Sequence, residues 1–181
     1  MKVTPTAVPD ILLLEPRVFH DDRGFFMETW NARTWREATG LDTTFVQDNH
    51  SRSVRGVVRG LHYQLECVQG KLVRVAEGEI FDVGLDLRRG SPTFGRWAGA
   101  RLSAENRRQL WIPPGFAHAF VALSETADVL YKATDYYHPD SERSIRWDDP
   151  DLAIDWPDCG APLLSDKDRG AVPFAEAETF A

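Results

Sequence analysis

Alternation of apolar and polar residues is the main pattern along this chain. It is clearest in residues 80–87, where every second side chain from Phe81 to Leu87 is apolar and Asp82 and Asp86 occupy the positions between. Because successive side chains of a strand point to opposite faces, this segment predicts a strand with one apolar face and one carboxylate-bearing face.

Several other short segments predict strands, and glycine and proline residues separate them. Residues 71–76 form one such strand, and Glu77-Gly78 predicts a tight hairpin that joins it to 80–87. The remaining predicted strands are 44–49, 54–64, 96–102, 109–112, 117–123 and 129–137. Many short strands with turns every eight to twelve residues or so are typical of a β-sandwich or barrel.

Helical signals are sparse. Residues 31–39 predict one short helix that ends before Gly40, a residue that commonly terminates helices. The tail from about residue 150 to 181 has weak periodicity and predicts turns with a helical piece or two. Without repeats, linkers or low-complexity segments, we expect residues 1–181 to form one domain whose C-terminal tail packs on the barrel.

Charge and composition limit which binding partners and which cellular compartment we expect for this protein. The net charge is −7, from 21 basic and 28 acidic residues, so we expect neither nucleic acid nor anionic membrane as a partner. The longest apolar run near the start, residues 11–14, is too short for a membrane span or a signal peptide. Cys67 and Cys159 form no CxxC pair, which favours idle thiols and a cytoplasmic protein.

Two of the five histidines have an informative spacing. His62 lies in a strand-like segment, and His118 follows the proline-glycine turn of residues 112–117, some fifty residues later. This layout resembles that of the cupin barrels. A metal-binding cupin would have a second histidine two positions after the first, but this chain has Gln64 there. Zinc and iron sites need three or four ligands, so the sequence favours a cupin without a metal.

Tyrosine is the second candidate for chemistry. With the period of a strand, Tyr131 and Tyr137 share one face of the segment 129–137. A phenol inside a barrel usually just packs against its neighbours, but two phenols beside a histidine could serve a reaction. One of them could protonate a carbon atom while the other stacks on a flat ligand.

The chain resembles the dTDP-4-dehydrorhamnose 3,5-epimerase family, which consists of cupins without a metal. The similarity is carried by ordered blocks over nearly the whole chain: residues 19–26, 45–51, 59–64, 69–74, 91–95, 102–106, 110–118, 131–137 and 164–168. It implies a mainly β, cupin-type jelly-roll fold with a few short helices. It also implies a dTDP-linked 4-keto-6-deoxyhexose substrate on the route to dTDP-L-rhamnose, no cofactor, and a homodimer.

The chemistry of this family follows from its ketone. A carbonyl at carbon 4 acidifies the hydrogens on both flanking carbons, so a base can remove a proton to give an enolate, and an acid on the other face can return one. The resemblance makes His62 the base, oriented by Asp168, and Tyr131 the acid. It places Lys71 beside the keto oxygen. A phenol has a reference pKa of about 10, yet an enolate carbon is basic enough to take its proton.

The resemblance also assigns groups to the rest of the substrate. Arg23, Arg59 and Lys167 are the cations for the diphosphate and its surroundings, and Tyr137 would stack on the thymine ring. The further polar contacts that it implies are Glu28, Gln47, Asp48, Asn49, His118 and Glu142. We therefore expect Arg23, Arg59, Lys71 and Lys167 to gather into one basic mouth on an otherwise acidic protein.

Strict alternation conflicts with part of this assignment. It puts Arg59 and His62 on opposite faces of one strand. A bulge at Gly60 would bring both side chains to the same face, whereas a regular strand would remove Arg59 from the site.

Other functions remain open from the sequence. A relative that inverts only carbon 3 or only carbon 5 could use the same base and acid. A non-catalytic cupin that binds dTDP-sugars, and a metal-dependent isomerase or dioxygenase with metal at His62 and His118, are the alternatives from other classes. In a homodimer, an N-terminal strand could join the partner's sheet, and Arg23 and Glu28 could then complete the partner's site.

Overall fold

A computed structural model describes the whole chain, Met1–Ala181. Its strands are β1 (Lys2–Pro5), β2 (Leu12–Glu15), β3 (Val18–Asp21), β4 (Gly24–Met27), β5 (Gln47–Val54), β6 (Val58–Gln64), β7 (Lys71–Glu77), β8 (Glu79–Asp86), β9 (Trp97–Ser103), β10 (Gln109–Ile112), β11 (Phe116–Ala122), β12 (Thr126–Ala133) and β13 (Glu142–Ser144). The helices are α1 (Ala32–Thr39) and α2 (Asp166–Arg169), with short 3₁₀ turns at Pro139–Ser141 and Phe174–Glu176.

Two antiparallel sheets face each other. The six-stranded sheet has the order β1-β2-β10-β7-β12-β5, and the five-stranded sheet has the order β13-β6-β11-β8-β9. Strands β3 and β4 pair only with each other and form a separate hairpin. The two sheets do not close into a barrel, so the predicted mainly β fold takes the form of a sandwich.

The core fills the space between the sheets. Side chains of the six-stranded sheet such as Val73 and Val129 meet Ile80 and Phe120 of the five-stranded sheet in one buried cluster. Stacked sheets lie about 10 Å apart, which leaves room for one interdigitated layer of side chains. Polar residues on these inner faces are therefore forced into contact with each other or with a ligand.

Both outer faces are covered by other parts of the chain. On the five-stranded sheet, Leu61 and Leu85 pack with Leu152 and Ala177 of the C-terminal segment. On the six-stranded sheet, Trp35 of α1 packs on strand residues including Trp111. The sandwich thus has an apolar layer on each outer face. Neither helix of the structure has the length and apolar character that a membrane span requires.

The predicted hairpin at Glu77-Gly78 is wrong. Strands β7 and β8 follow each other in the chain but lie in different sheets, and they form no hydrogen-bonded pair. Val75 before the turn and Ile80 after it enter the same core cluster from opposite sides. Burying both apolar faces against each other requires the chain to cross between sheets, which Gly78 allows with its φ of 75°.

Other element boundaries differ from the alternation pattern in smaller ways. The predicted strand 54–64 is interrupted by a turn, and β5 runs on to Val54 instead of ending at residue 49. The predicted strand 129–137 ends at Ala133, and the sequence pattern did not predict strands β1 to β4 or β13. The helix is confirmed: Asn31 caps its N-terminus and Gly40 ends it with a φ of 73°.

Candidate active site

A histidine and a buried carboxylate form the centre of the cleft between the sheets. His62 projects from β6, and its Nε2 lies 2.5 Å from Oδ1 of Asp168. The other carboxylate oxygen of Asp168 accepts a hydrogen bond from the Ser165 hydroxyl, which caps α2. Burial alone would raise the pKa of Asp168, but the hydrogen bonds from His62 and Ser165 hold it below its usual value. A charged carboxylate therefore faces the imidazole.

A phenol and an ammonium group stand on the opposite wall. Tyr131 of β12 and Lys71 of β7 belong to the six-stranded sheet, whereas His62 belongs to the five-stranded sheet, and all three line one cleft. The Lys71 Nζ lies 5.9 Å from the centre of the Tyr131 ring. A ligand between the sheets would thus have the imidazole on one side and the phenol with its cation on the other.

Burial shifts both groups on this wall. Removal from water raises the pKa of Tyr131, so its phenol stays protonated at neutral pH. The same effect lowers the pKa of Lys71 to about 8, although the nearby carboxylates of Glu142 and Asp82 oppose the shift. The lysine is therefore close to its titration point at physiological pH.

A chain of polar contacts forms the mouth of the cleft. Glu142 of β13 accepts a hydrogen bond from the Tyr137 hydroxyl at 2.8 Å and forms an ion pair with Lys167. Gln47 accepts a hydrogen bond from the backbone N–H of Tyr137 and donates one to Asn49. Tyr137 is 54% exposed, so its ring is available for contact with a ligand.

Arg59 shares the face of His62 because β6 is irregular at Gly60. In the pairing of β6 with β11, His62 lies opposite His118 and Arg59 lies opposite Phe120. Two residues of β6, Gly60 and Leu61, therefore face the single residue Ala119 of β11. Of the two alternatives left open by the sequence, the structure therefore has the bulge at Gly60. The Arg59 guanidinium accordingly reaches Ser53 on the inner face of β5 at 3.1 Å.

Four predicted site residues lie elsewhere. Arg23, at the tip of the β3–β4 hairpin, pairs with Asp21 and has 90% of its side chain exposed, so it contributes nothing to the cleft of its own chain. Glu28 is exposed and accepts a hydrogen bond from Asn31. The remaining two are Asp48, which pairs with Lys132, and His118, which is buried behind the cleft.

Sequence reasoning missed the role of Asp82 in this interior. Its carboxylate has no exposed surface, and Oδ1 lies 2.7 Å from Nε2 of His118. The alternation in β8 indicated that Asp82 and Asp86 share a face, but not that this face is the inner one, because the apolar face of β8 packs on the distant C-terminal segment.

The donor set of the cleft does not resemble a metal site. The Nε2 atoms of His62 and His118 each face a different carboxylate, and no group of three or more His, Cys, Asp or Glu side chains is arranged to hold a metal ion. Gln64, which replaces the second histidine of the motif, donates to the Cys67 carbonyl and accepts from the His138 N–H. It thereby ties together the loops beside the cleft.

A larger cavity of about 660 Å³ lies between the N-terminal loop and the loop after α1. It contains no histidine, lysine or tyrosine. Arg88, the cation on its wall, is held by Asp86 and Asp10. The cleft around His62 is therefore the better candidate for an active site, although it is smaller.

The fold and the cleft together define a cupin-like β-sandwich that carries an imidazole and a phenol on opposing walls beside a lysine. The family model for dTDP-4-dehydrorhamnose 3,5-epimerase matches residues 5–176 of this chain. The chain therefore belongs to this family of epimerases, and it is an isomerase.

Individual relatives agree with the family model. The dTDP-4-dehydrorhamnose 3,5-epimerase of Pseudomonas aeruginosa is 64% identical over 180 residues, which cover 99% of each protein. A crystal structure from Legionella pneumophila, dTDP-6-deoxy-D-glucose-3,5-epimerase in complex with dTDP-4-keto-L-rhamnose, superposes with a TM-score of 0.95 at 52% identity and covers 98% of this chain and 94% of the other. A dTDP-4-dehydrorhamnose 3-epimerase of Streptomyces niveus is 40% identical over 98% of this chain and 86% of its own length.

Proposed function

We propose that this protein converts dTDP-4-keto-6-deoxy-D-glucose to dTDP-4-keto-L-rhamnose by inverting both carbons that flank the ketone. The observation that carries the proposal is the position of His62 and Tyr131 on opposing sheets of one cleft. Inversion needs a base on one face of the sugar and an acid on the other, and this arrangement supplies both. The 64% identity to a 3,5-epimerase, against 40% to a 3-epimerase, favours inversion at both carbons.

In this mechanism, His62 removes the proton and the Asp168 carboxylate stabilises the resulting imidazolium. The Lys71 ammonium lies beside the oxygen on which the enolate charge develops. Tyr131 then donates its phenolic proton to the other face of the carbon. Arg59 and Lys167 would bind the diphosphate at the mouth of the cleft, because a guanidinium and an ammonium both pair with phosphate oxygens.

The experiment that tests this function compares two variants with the wild type. NMR of the authentic substrate should show conversion by the wild-type protein. His62→Asn and Tyr131→Phe should lower turnover by about 10²-fold or more while dTDP still binds, because each removes one proton-transfer group. Full turnover in both variants would contradict the proposal and favour a different site. Wild-type protein that binds the sugar nucleotide without converting it would favour a binding protein.

The alternative of a metal-dependent isomerase or dioxygenase has its own test. Activity that persists after exhaustive treatment with EDTA would support the proposed acid–base mechanism. Loss of activity on treatment with EDTA, followed by recovery on adding one metal, would contradict it.

We further propose that the protein acts as a homodimer in the cytoplasm. The β3–β4 hairpin stands apart from both sheets and exposes Phe19, Phe25 and Phe26 by about half or more of their surface. An apolar hairpin of this kind is suited to packing against a second copy. Arg23 and Glu28 lie at its tip and base, outside the cleft of their own chain, and would be carried to the cleft of the partner.

A further inference from the structure

A second carboxylate–imidazole pair lies beneath the cleft, and the mechanism above leaves it without a task. Asp82 projects from β8 into the space between the sheets with no exposed surface. Its Oδ1 is bonded to His118, while Oδ2 is buried and has no hydrogen-bond partner. Burial raises the pKa of this carboxyl, and the contact with His118 and the charge of Lys71 oppose the rise. An ionised Asp82 at this depth therefore depends on Lys71 as well as on His118.

Position and charge both connect this pair to Lys71. The centre of the His118 ring lies 6.4 Å from that of Tyr131, and the Lys71 Nζ lies 5.9 Å from the same tyrosine ring. The ammonium group has no hydrogen-bonded carboxylate of its own, so its ionisation depends on charges at longer range. Glu142, the other carboxylate that favours the charged lysine, is already paired with Lys167, whose positive charge acts against that of Lys71. Burial lowers the pKa of His118, which favours the neutral imidazole, so Asp82 has no ion pair that competes with Lys71 for its charge.

We propose that Asp82 is a positioning residue for the reaction: its carboxylate fixes the proton of His118 on Nε2 and keeps the neighbouring Lys71 ammonium charged under the carbonyl of the substrate. This inference rests on the proposed function, since the charge on Lys71 serves the developing enolate. Asp82 acts through its neighbours and does not touch the substrate.

The titratable groups around Lys71 come from the walls of the cleft, from its mouth and from the layer beneath it. They are His62 and Tyr131 on the walls, Glu142 and Lys167 at the mouth, and Asp82 and His118 beneath. Removal of the charge of Asp82 would lower the pKa of Lys71 further, because the opposing charge that resists the effect of burial would be lost. The lysine is active while protonated, so the activity it supports is lost as pH rises through its pKa.

The test is Asp82→Asn, read as the ratio of variant to wild-type turnover across pH. A one-unit fall in the pKa of Lys71 from about 8 would lower turnover about fivefold at pH 8 and by only about 10% at pH 6. The apparent KM should change little. A ratio that is the same at both pH values would overturn the proposal, because a purely structural defect does not follow the ionisation of Lys71.

Asp86→Asn is the matched control. Asp86 lies on the same inner face of β8 and is equally buried, but it bonds to Arg88, Ser91 and Thr93 away from the cleft. Loss of the Asp86 charge should lower the melting temperature, but the ratio of variant to wild-type turnover should be the same at pH 6 and pH 8. A pH-dependent ratio in Asp86→Asn would contradict the assignment of the effect to Asp82.

A direct titration separates this inference from the proposed function. The chain has four lysines, so NMR of protein labelled with ¹³C at the lysine side chains can follow Lys71, assigned with Lys71→Arg, without any substrate. A pKa near 8 that falls in Asp82→Asn supports the inference even if no epimerisation is found. Equal values in both proteins overturn it even if the enzyme is active.

A second variant keeps the inference testable if Asp82→Asn does not fold. Coupling is reciprocal, so Lys71→Met should raise the pKa of Asp82 further, because the charge of Lys71 opposes the rise that burial causes in the wild type. An unchanged Asp82 titration in Lys71→Met, followed by NMR of the side-chain carboxyl, would overturn the proposal.

Discussion

At the level of single residues, the two sides of the His62 ring have different tasks. Nε2 faces Asp168, which leaves Nδ1 as the nitrogen that can face a substrate in the cleft. The carboxylate that orients the ring accepts a hydrogen bond from Ser165, so residues of β6, of α2 and of the α2 cap hold one geometry. Sequence spacing could not show this contact, because His62 and Asp168 are 106 residues apart.

Mutation of Asp168 tests its contact with His62. Asp168→Asn keeps the shape of the side chain but removes the charge that stabilises the imidazolium. We expect turnover to fall by about 10²-fold or more with little change in dTDP binding, measured by steady-state kinetics and calorimetry.

Asp166→Asn is the control for that change. Asp166 begins the same helix, but its side chain is fully exposed and pairs only with Arg169 on the surface. Its replacement should leave turnover unchanged. Equal activity in the two variants would show that the contact between Asp168 and His62 has no part in the reaction.

At the level of secondary structure, the bulge in β6 decides which side chains reach the cleft. Glycine at position 60 has a φ of 118°, and a Cβ there would lie 2.4 Å from the Cβ of Ala119. No other residue fits both constraints. The conflict between Arg59 and His62 was visible in the alternation pattern, but only the register with β11 resolves it.

Gly60→Ala tests the importance of the bulge. We expect a loss of about 3 kcal/mol or more in the free energy of unfolding, measured by urea denaturation, and a fall in turnover because Arg59 and His62 flank the change. Gly90→Ala is the control, since its Cβ would meet nothing within 4 Å and its stability should be unchanged or slightly higher. Wild-type stability in Gly60→Ala would contradict this account of β6.

The elements that could be predicted from the sequence are those with local signals. Helix α1 has a capping asparagine at one end and a glycine at the other. Both residues act on the backbone of the helix itself, so they mark its ends independently of tertiary packing. The turn at Gly78 is different, because the same glycine could serve a hairpin or a crossing between sheets. The apolar cluster that joins Val75 to Ile80 decides between the two, and it involves residues distant in sequence.

At the level of the whole molecule, the acidic net charge contrasts with the cations at the cleft. Lys71 lines the cleft from the six-stranded sheet, Lys167 lies at its mouth, and Arg59 lies on the inner face of the five-stranded sheet. Lys167 is close enough to lower the pKa of Lys71, and Arg59 is close enough to oppose the rise in the pKa of Tyr131. Three of the four cations expected in the basic mouth therefore surround one cleft in a chain with a net charge of −7. The fourth, Arg23, is on the hairpin, and no pattern within one chain could show where a second copy would place it.

The proposed dimer predicts that changes in the hairpin act on assembly and on binding together. Phe26 is 67% exposed, so Phe26→Glu should not disturb the core, yet it should give a monomer with weaker dTDP binding in analytical ultracentrifugation and calorimetry. Leu163→Glu is the control on the C-terminal segment, where the exposed fraction is 49%. A Phe26→Glu protein that stays dimeric with unchanged binding would place the interface elsewhere, and a wild-type monomer would contradict the dimer.

The most direct test of the central claim is proton exchange at the two carbons beside the ketone. The wild-type protein is incubated with dTDP-4-keto-6-deoxy-D-glucose in D₂O, and NMR follows deuterium at carbon 3 and carbon 5. We predict incorporation at both carbons by the wild type and at neither by His62→Asn. Deuterium at a single carbon would contradict the double inversion, and exchange at both carbons in His62→Asn would contradict the assignment of the base.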